Sequence, residues 1–247
     1  VVDEKLAKPI LVGRPAVLEA RIKRFNLRLK LGVDVEVTNP DYDERFHRYW
    51  TTYWEKMCRR GISKEMARVE MRRRLTLIGA MMVHLGDADG MICGTVGSYA
   101  DHLRFVDEVI GKAPGTQIYS AMNILLLSER TVALADTHVN DDPSAQQVAE
   151  ITLAAAAQMR RLNIEPKIAL LSRSNFGTGS SASGEKMRQA LQMVHELAPD
   201  LEVDGEMHGD CALDESLRER VLPSTTLKGA ANLLICPNVD SGNIAYN

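Results

Sequence analysis

Four polar stretches carry residues that could do chemistry: 93-CGTVGSYADHLR-104, 136-DTHVNDDP-143, 172-SRSNFGTGSS-181 and 204-DGEMHGD-210. In the third, Gly177-Thr178-Gly179-Ser180-Ser181-Ala182 fits the dinucleotide-binding pattern G-x-G-x-x-[G/A]. That turn works when its first glycine comes directly off a strand, so that the next helix points its N-terminus at a pyrophosphate. Here Arg173, Ser174, Asn175 and Phe176 intervene after the apolar run 168-IALL-171, and the geometry argues against a dinucleotide. Two readings remain. One is a solvent loop. The other is an anion cradle in which Ser174, Thr178, Ser180 and backbone N–H groups act with Arg173.

The other candidates also have two readings each. Arg104 sits one turn inside a helix that follows a loop, and reads as a phosphate contact or a surface salt bridge. His102 and His138 lie in candidate ligand loops. Glu206, His208 and Asp210 offer metal-ligand types, although a polar loop at a strand end is the commoner explanation. There is no G-x-S-x-G elbow and no H-E-x-x-H pair.

The elements that must position these residues alternate. Strands are expected at 9–12, 33–37, 90–94, 117–127, 131–136, 167–172, 201–206 and 232–236, with an antiparallel hairpin at 117–136. Helices are expected at 16–27, 43–59, 64–84, 98–110, 143–161, 184–197 and 214–221. Pro15 opens the first helix, Gly61 closes the second, Ser63 and Ser98 cap the next two, and Asp142-Pro143 start the long alanine-rich one. Phe46, Tyr49, Trp50, Tyr53, Trp54 and Met57 form one apolar stripe, and the methionines of 64–84 form another. This order gives an α/β fold with largely parallel sheets, and ligands of such sheets bind at strand carboxyl ends. A boundary between subdomains is expected near 136–142, dividing 1–135 from 136–247.

Composition narrows the function. The 247 residues are 45% hydrophobic and 26% charged with net charge −3, so no global basic field argues for nucleic acid. The basic 68-RVEMRRR-74 reads as a solvated helix face, a subunit contact or an anion strip. Cys58, Cys93, Cys211 and Cys236 are scattered without C-x-x-C, which predicts free thiols in a reducing cytoplasm. No apolar run reaches the ~18–20 residues of a membrane span. The chain begins without Met and stops soon after 233-LLIC-236, and is expected to be part of a longer polypeptide.

The segments 87-DADGMICGTVGSYADHLRFVDEVIG-111, 165-EPKIALLSRSNFG-177, 204-DGEMHGD-210 and 229-GAANLLICPNVDSGNIAY-246 together resemble the phosphate acetyl/butyryl-transferase family. Within it the chain is most similar to the transacetylase-like C-terminal domain of bacterial NADP-dependent malic enzymes. The resemblance implies two α/β subdomains with a cleft between them, as in phosphotransacetylases, in an isocitrate/isopropylmalate dehydrogenase-like fold. It also implies a homodimer or higher homo-oligomer, and acetyl-CoA as an effector. Ligand contacts are then expected from Thr95, Ser98, Arg104, Ser172, Arg173, Ser174, Asn175, Gly177 and Thr178.

Active transacetylases of the family have His-Ser/Thr where this chain has Gly97-Ser98, and Arg-Pro where it has Arg104-Phe105. Their catalytic Ser-Arg and Asp fall beyond Asn247. The resemblance therefore implies a regulatory domain without a catalytic set or its own cofactor or metal. NADP and a divalent metal (Mg or Mn) would serve an upstream malic-enzyme domain. The alternatives are an active phosphate acetyltransferase and a purely structural oligomerisation domain.

Overall fold

A computed structural model describes residues 1–247, which form two compact units, Val1–Gly111 and Lys112–Asn247. The first unit is mostly helical. Its two strands, β1 (Ile10–Val12) and β2 (Glu36–Thr38), pair in parallel across α1 (Pro15–Arg24). Helices α2 (Phe46–Met57), α3 (Lys64–Arg73), α4 (Leu75–His84) and α5 (Tyr99–Val109) make the rest.

The stripe on α2 buries Tyr49, Tyr53 and Met57 against Met71, Met81, Phe105 and their neighbours. This gathers the apolar positions that repeat every three to four residues. Gly61 closes the short 3₁₀ turn after α2 with φ 91°, in the left-handed region glycine accepts. The Ser63 and Ser98 hydroxyls cap α3 and α5.

The second unit is a five-stranded sheet in the order β3-β4-β7-β5-β6. Its strands are β3 (Met122–Leu126), β4 (Thr131–Ala135), β5 (Ile168–Leu171), β6 (Val203–Met207) and β7 (Leu233–Ile235). All neighbours are parallel except the β3–β4 hairpin. The helices α6 (Ala145–Arg161) and α7 (Ala182–Leu197) cover one face with Val148, Ile151, Met159, Met187 and Val194. The other face packs against α8 (Gly209–Leu213), which is followed by α9 (Glu215–Val221). The α/β architecture with parallel-dominated sheets agrees with the sequence.

Four expectations change. The units divide at Gly111/Lys112 instead of 135/136, because the β3–β4 hairpin hydrogen-bonds into the sheet through β7. Residues 90–94 form no strand: no neighbour pairs with them, and Ile92 is fully exposed. The helix expected over 64–84 breaks at Arg74, whose backbone is extended. The cap of α6 is Ser144 and not Asp142. The Ser144 hydroxyl accepts from the Gln147 N–H while the Gln147 side chain accepts from the Ser144 N–H, a capping box.

Candidate functional site

The carboxyl edge of the second sheet gathers the loops after β4, β5, β6 and β7. The loop after β5 runs ten residues, 172 to 181, before Ser181 caps α7. No glycine leaves the strand directly, so the tight dinucleotide turn is absent. The loop closes over Glu206, a completely buried carboxylate on β6. Glu206 Oε1 accepts from the Ser174 hydroxyl at 2.9 Å, the Gly177 N–H at 3.1 Å and Arg188 Nη1 at 2.8 Å. Its carbonyl accepts from the Phe176 N–H at 2.7 Å. Asn175 fastens the next turn: its Oδ1 accepts from the His208 N–H at 2.8 Å, and its Nδ2 lies 3.2 Å from His208 Nδ1.

These bonds sort the predicted contacts. The Ser174 hydroxyl and the Gly177 N–H, two of the donors expected in an anion cradle, are committed to Glu206. Ser172 Oγ lies 3.5 Å from Ser174 Oγ. Arg173, Gly177 and Thr178 are exposed. Thr178 Oγ1 accepts from the Asn175 N–H at 3.2 Å, leaving its hydroxyl proton free to donate outward.

The start of α7 ties the other loops together. Lys186 Nζ donates to Asp142, after β4, and to the Pro237 carbonyl, after β7. Asp136, 2% exposed at the end of β4, accepts from the N–H groups of Ala121, His138, Val139 and Asn140. Helix α10 (Val239–Tyr246) seats Gly242 on the same turn, where a Cβ would lie 2.1 Å from the Asp136 carbonyl oxygen. Burial, then the neighbouring Asp136 charge, push the Cys236 thiol up to about 12, so it stays protonated.

The metal alternative at 204–210 does not fit. Glu206 is saturated on one oxygen by loop donors, His208 Nδ1 faces Asn175, and Asp210 Oδ1 accepts from the Cys211 N–H. No group of three or more His, Cys, Asp or Glu side chains is arranged to hold an ion. Asp204 is structural as well, accepting from the Thr225 hydroxyl and the Thr226 N–H. A cavity of about 580 Å³ opens beside α7, lined by Phe176, Arg188, Leu191, His195, Glu206 and Leu222. It includes none of the nine predicted contacts.

The first unit holds the other three predicted residues. Thr95 lies in an exposed loop. The Ser98 hydroxyl caps α5, accepting from the Asp101 N–H and donating to Asp101 Oδ2. Arg104 forms the surface salt bridge: Nη1 meets Glu108 Oε1 at 3.0 Å, with the guanidinium over the Phe105 ring at 4.2 Å. Glu108 Oε2 accepts from the Tyr53 hydroxyl at 2.7 Å. Burial, then that carboxylate, push the Tyr53 pKa up.

His102 is a fastener. Its Nε2 donates to the Val96 carbonyl at 2.8 Å, since a carbonyl can only accept, and its Nδ1 meets Thr76 Oγ1 at 2.6 Å. Gly97 lies against this ring with φ 111°, and a Cβ there would sit 3.1 Å from His102 Nε2.

Sequence reasoning missed Arg188 entirely, and placed Glu206 among possible metal ligands and in the family-like 204-DGEMHGD-210 without linking it to the β5 loop. Neither carries a local signal. Their link to the loop depends on β5 and β6 being neighbours, 32 residues apart at the Ser174–Glu206 bond.

Comparisons with known proteins extend over the whole chain. The model of the phosphate acetyl/butaryl transferase family matches residues 1–247. Over 242 residues the chain is 51% identical to an NADP-dependent malic enzyme of Escherichia coli, covering 98% of this chain and 32% of that protein. Over 246 residues it is 33% identical to a phosphate acetyltransferase of Synechocystis sp., covering 100% of this chain and 35% of that one. A phosphotransacetylase from Streptococcus pyogenes shares its structure with TM-score 0.80 and 29% identity, over 99% of this chain and 82% of that chain. The chain spans about a third of the length of the malic enzyme and the Synechocystis acetyltransferase. Sequence and fold agree, and the chain belongs to the phosphate acetyl/butaryl transferase family.

Proposed function

We propose that the chain is the acetyl-CoA-sensing, oligomerising C-terminal domain of a cytoplasmic NADP-dependent malic enzyme, without acyl transfer activity of its own. The parent enzyme would decarboxylate malate oxidatively to pyruvate, with NADP and Mg or Mn held by the upstream domain. The greater identity to a malic enzyme than to an acetyltransferase supports this reading.

One observation carries the non-catalytic part. By the resemblance, Gly97 stands where active transacetylases of the family have histidine. Here φ is 111° and the His102 ring fills the space a Cβ would enter. A side chain at 97 meets both backbone strain and a neighbour, so the loop is built around its absence.

Arg173, Asn175 and Thr178, in the β5 loop of the second unit, are the proposed contacts for the phosphates and polar groups of acetyl-CoA. Ser172, Ser174 and Gly177 shape that loop. Each charge-assisted hydrogen bond to a phosphate contributes roughly 1.5–3 kcal/mol. Control of a distant active site needs coupling of only ~1–3 kcal/mol between acetyl-CoA and the quaternary state.

The likeness to phosphotransacetylases favours a second reading, an active phosphate acetyltransferase. Incubation with acetyl-CoA and inorganic phosphate separates the two. The sensor reading predicts saturable acetyl-CoA binding by calorimetry and no phosphate-dependent release of CoA thiol. Catalytic thiol release would replace it with the transferase.

A further inference from the structure

Glu206 does more than fill the core. One residue holds the β5 loop at three successive points: Ser174 through its hydroxyl, Phe176 through the Glu206 carbonyl, and Gly177 through its N–H. Those points flank a conformation the loop would not choose alone. Phe176 and Gly177 are consecutive left-handed residues, with φ 46° and 84°, and only glycine accepts that region without cost. Two glycines close around the same hydroxyl. A Cβ on Gly179 would lie 2.8 Å from Ser174 Cβ, and one on Gly184 would lie 3.0 Å from Ser174 Oγ.

Meanwhile Glu206 Oε2 is buried with no hydrogen-bond partner. Burying a carboxylate is costly, and the Oε1 bonds to the loop and to Arg188 are what offset it. Its value lies in the oxygen that gathers the loop.

We propose that Glu206 is the positioning residue of the ligand loop: through Oε1 it fixes Ser174 and Gly177, and so sets the shape in which Arg173, Asn175 and Thr178 meet the ligand. This rests on reading the loop as part of an acetyl-CoA site. Positioning and simple electrostatics predict opposite signs. Removing a carboxylate near a polyanion should tighten binding if charge is all that matters, and weaken it if loop shape matters.

The test compares Glu206→Ala, Glu206→Gln and Ser174→Ala in the full chain, by acetyl-CoA calorimetry and by hydrogen exchange of residues 173–180. Glutamine keeps the Oε1 acceptor. E206A should weaken acetyl-CoA binding by about tenfold or more, equivalent to one lost anchoring bond. E206Q should stay within about threefold of the parent, and exchange in 173–180 should quicken in E206A but not in E206Q. Should E206A fail to fold, S174A carries the same test, with several-fold weaker binding and faster exchange at Gly177.

Unchanged or tighter binding in E206A, or weaker binding without faster loop exchange, overturns the proposal. If the unmutated chain binds no acetyl-CoA, the sensor reading falls by itself. Exchange then decides alone: quickening in E206A upholds Glu206 as the loop's positioner, and no change overturns it.

Discussion

In the first unit the loop at residues 92–98 hangs on His102, and Ile92 and Val96 stand in solvent. In the second unit the loop at 172–181 closes on Glu206, with Arg188 and His208 bracing it. Both follow the same logic of a glycine-bearing loop ahead of a serine-capped helix. They differ in what lies underneath. A buried carboxylate under one loop fixes its donors in place. The other loop has one imidazole at its root, bonded to the Val96 carbonyl and to Thr76.

Thiol chemistry gives the widest contrast. Cys58 and Cys93, in the first unit, are exposed, whereas Cys211 and Cys236, in the second, are buried. Two thiols should react with a disulfide reagent at once. The other two should react only when the second unit opens, slower by roughly a thousandfold or more. Fast reaction of all four would show the second unit to be loose. Burial, the larger cause, and the Asp210 charge raise the Cys211 pKa, which slows its attack further.

The next largest effect is at Gly242. Its missing side chain lets α10 lie on the Asp136 turn, and a methyl group would strike a backbone carbonyl that cannot move aside like a flexible side chain. Gly242→Ala should destabilise the second unit by ~3 kcal/mol. Urea unfolding followed through Cys211 and Cys236 would read the loss, with Cys58 and Cys93 as internal controls.

Gly97→Ala should cost less, ~1–2 kcal/mol, from positive φ and the push on His102. The surrounding loop is exposed and can adjust. Equal losses at Gly242 and at Gly97, the latter read by urea unfolding through the fluorescence of Trp50 and Trp54 in the first unit, would erase the distinction between a loosely seated loop and a firmly seated helix.

Much of this was legible in the sequence where the cause is local. Ser63, Ser98, Gly61 and Pro15 act where one residue type meets one backbone need, and the aromatic stripe on α2 repeats at helical spacing. The break at Arg74 has no glycine or proline to announce it. The run 90-GMICG-94 is too short for periodicity to tell a strand from a loop. The Ser144-x-x-Gln147 capping box was there to be read, but the neighbouring Asp142-Pro143 offered a competing start.

At the site, the loop after β5 was found by its composition, and the distance of its glycines from the strand excluded the dinucleotide turn. The anchor was not found, because Glu206 reaches the loop only through sheet neighbours. Ser174 and Ser98 lie in the loops the sequence pointed to, and their hydroxyls bond within the protein, Ser174 to Glu206 and Ser98 to Asp101.

The central claim is that this family member binds acetyl-CoA, and thermal unfolding with the ligand tests it most directly. At a hundred times Kd the expected stabilisation is ~2.7 kcal/mol. For a chain of this size that raises Tm by roughly 5–10 °C, at ~2–4 °C per kcal/mol. A rise of that order that saturates with acetyl-CoA is the predicted result. An unmoved Tm at millimolar acetyl-CoA would contradict the account and favour the alternative of a purely structural domain.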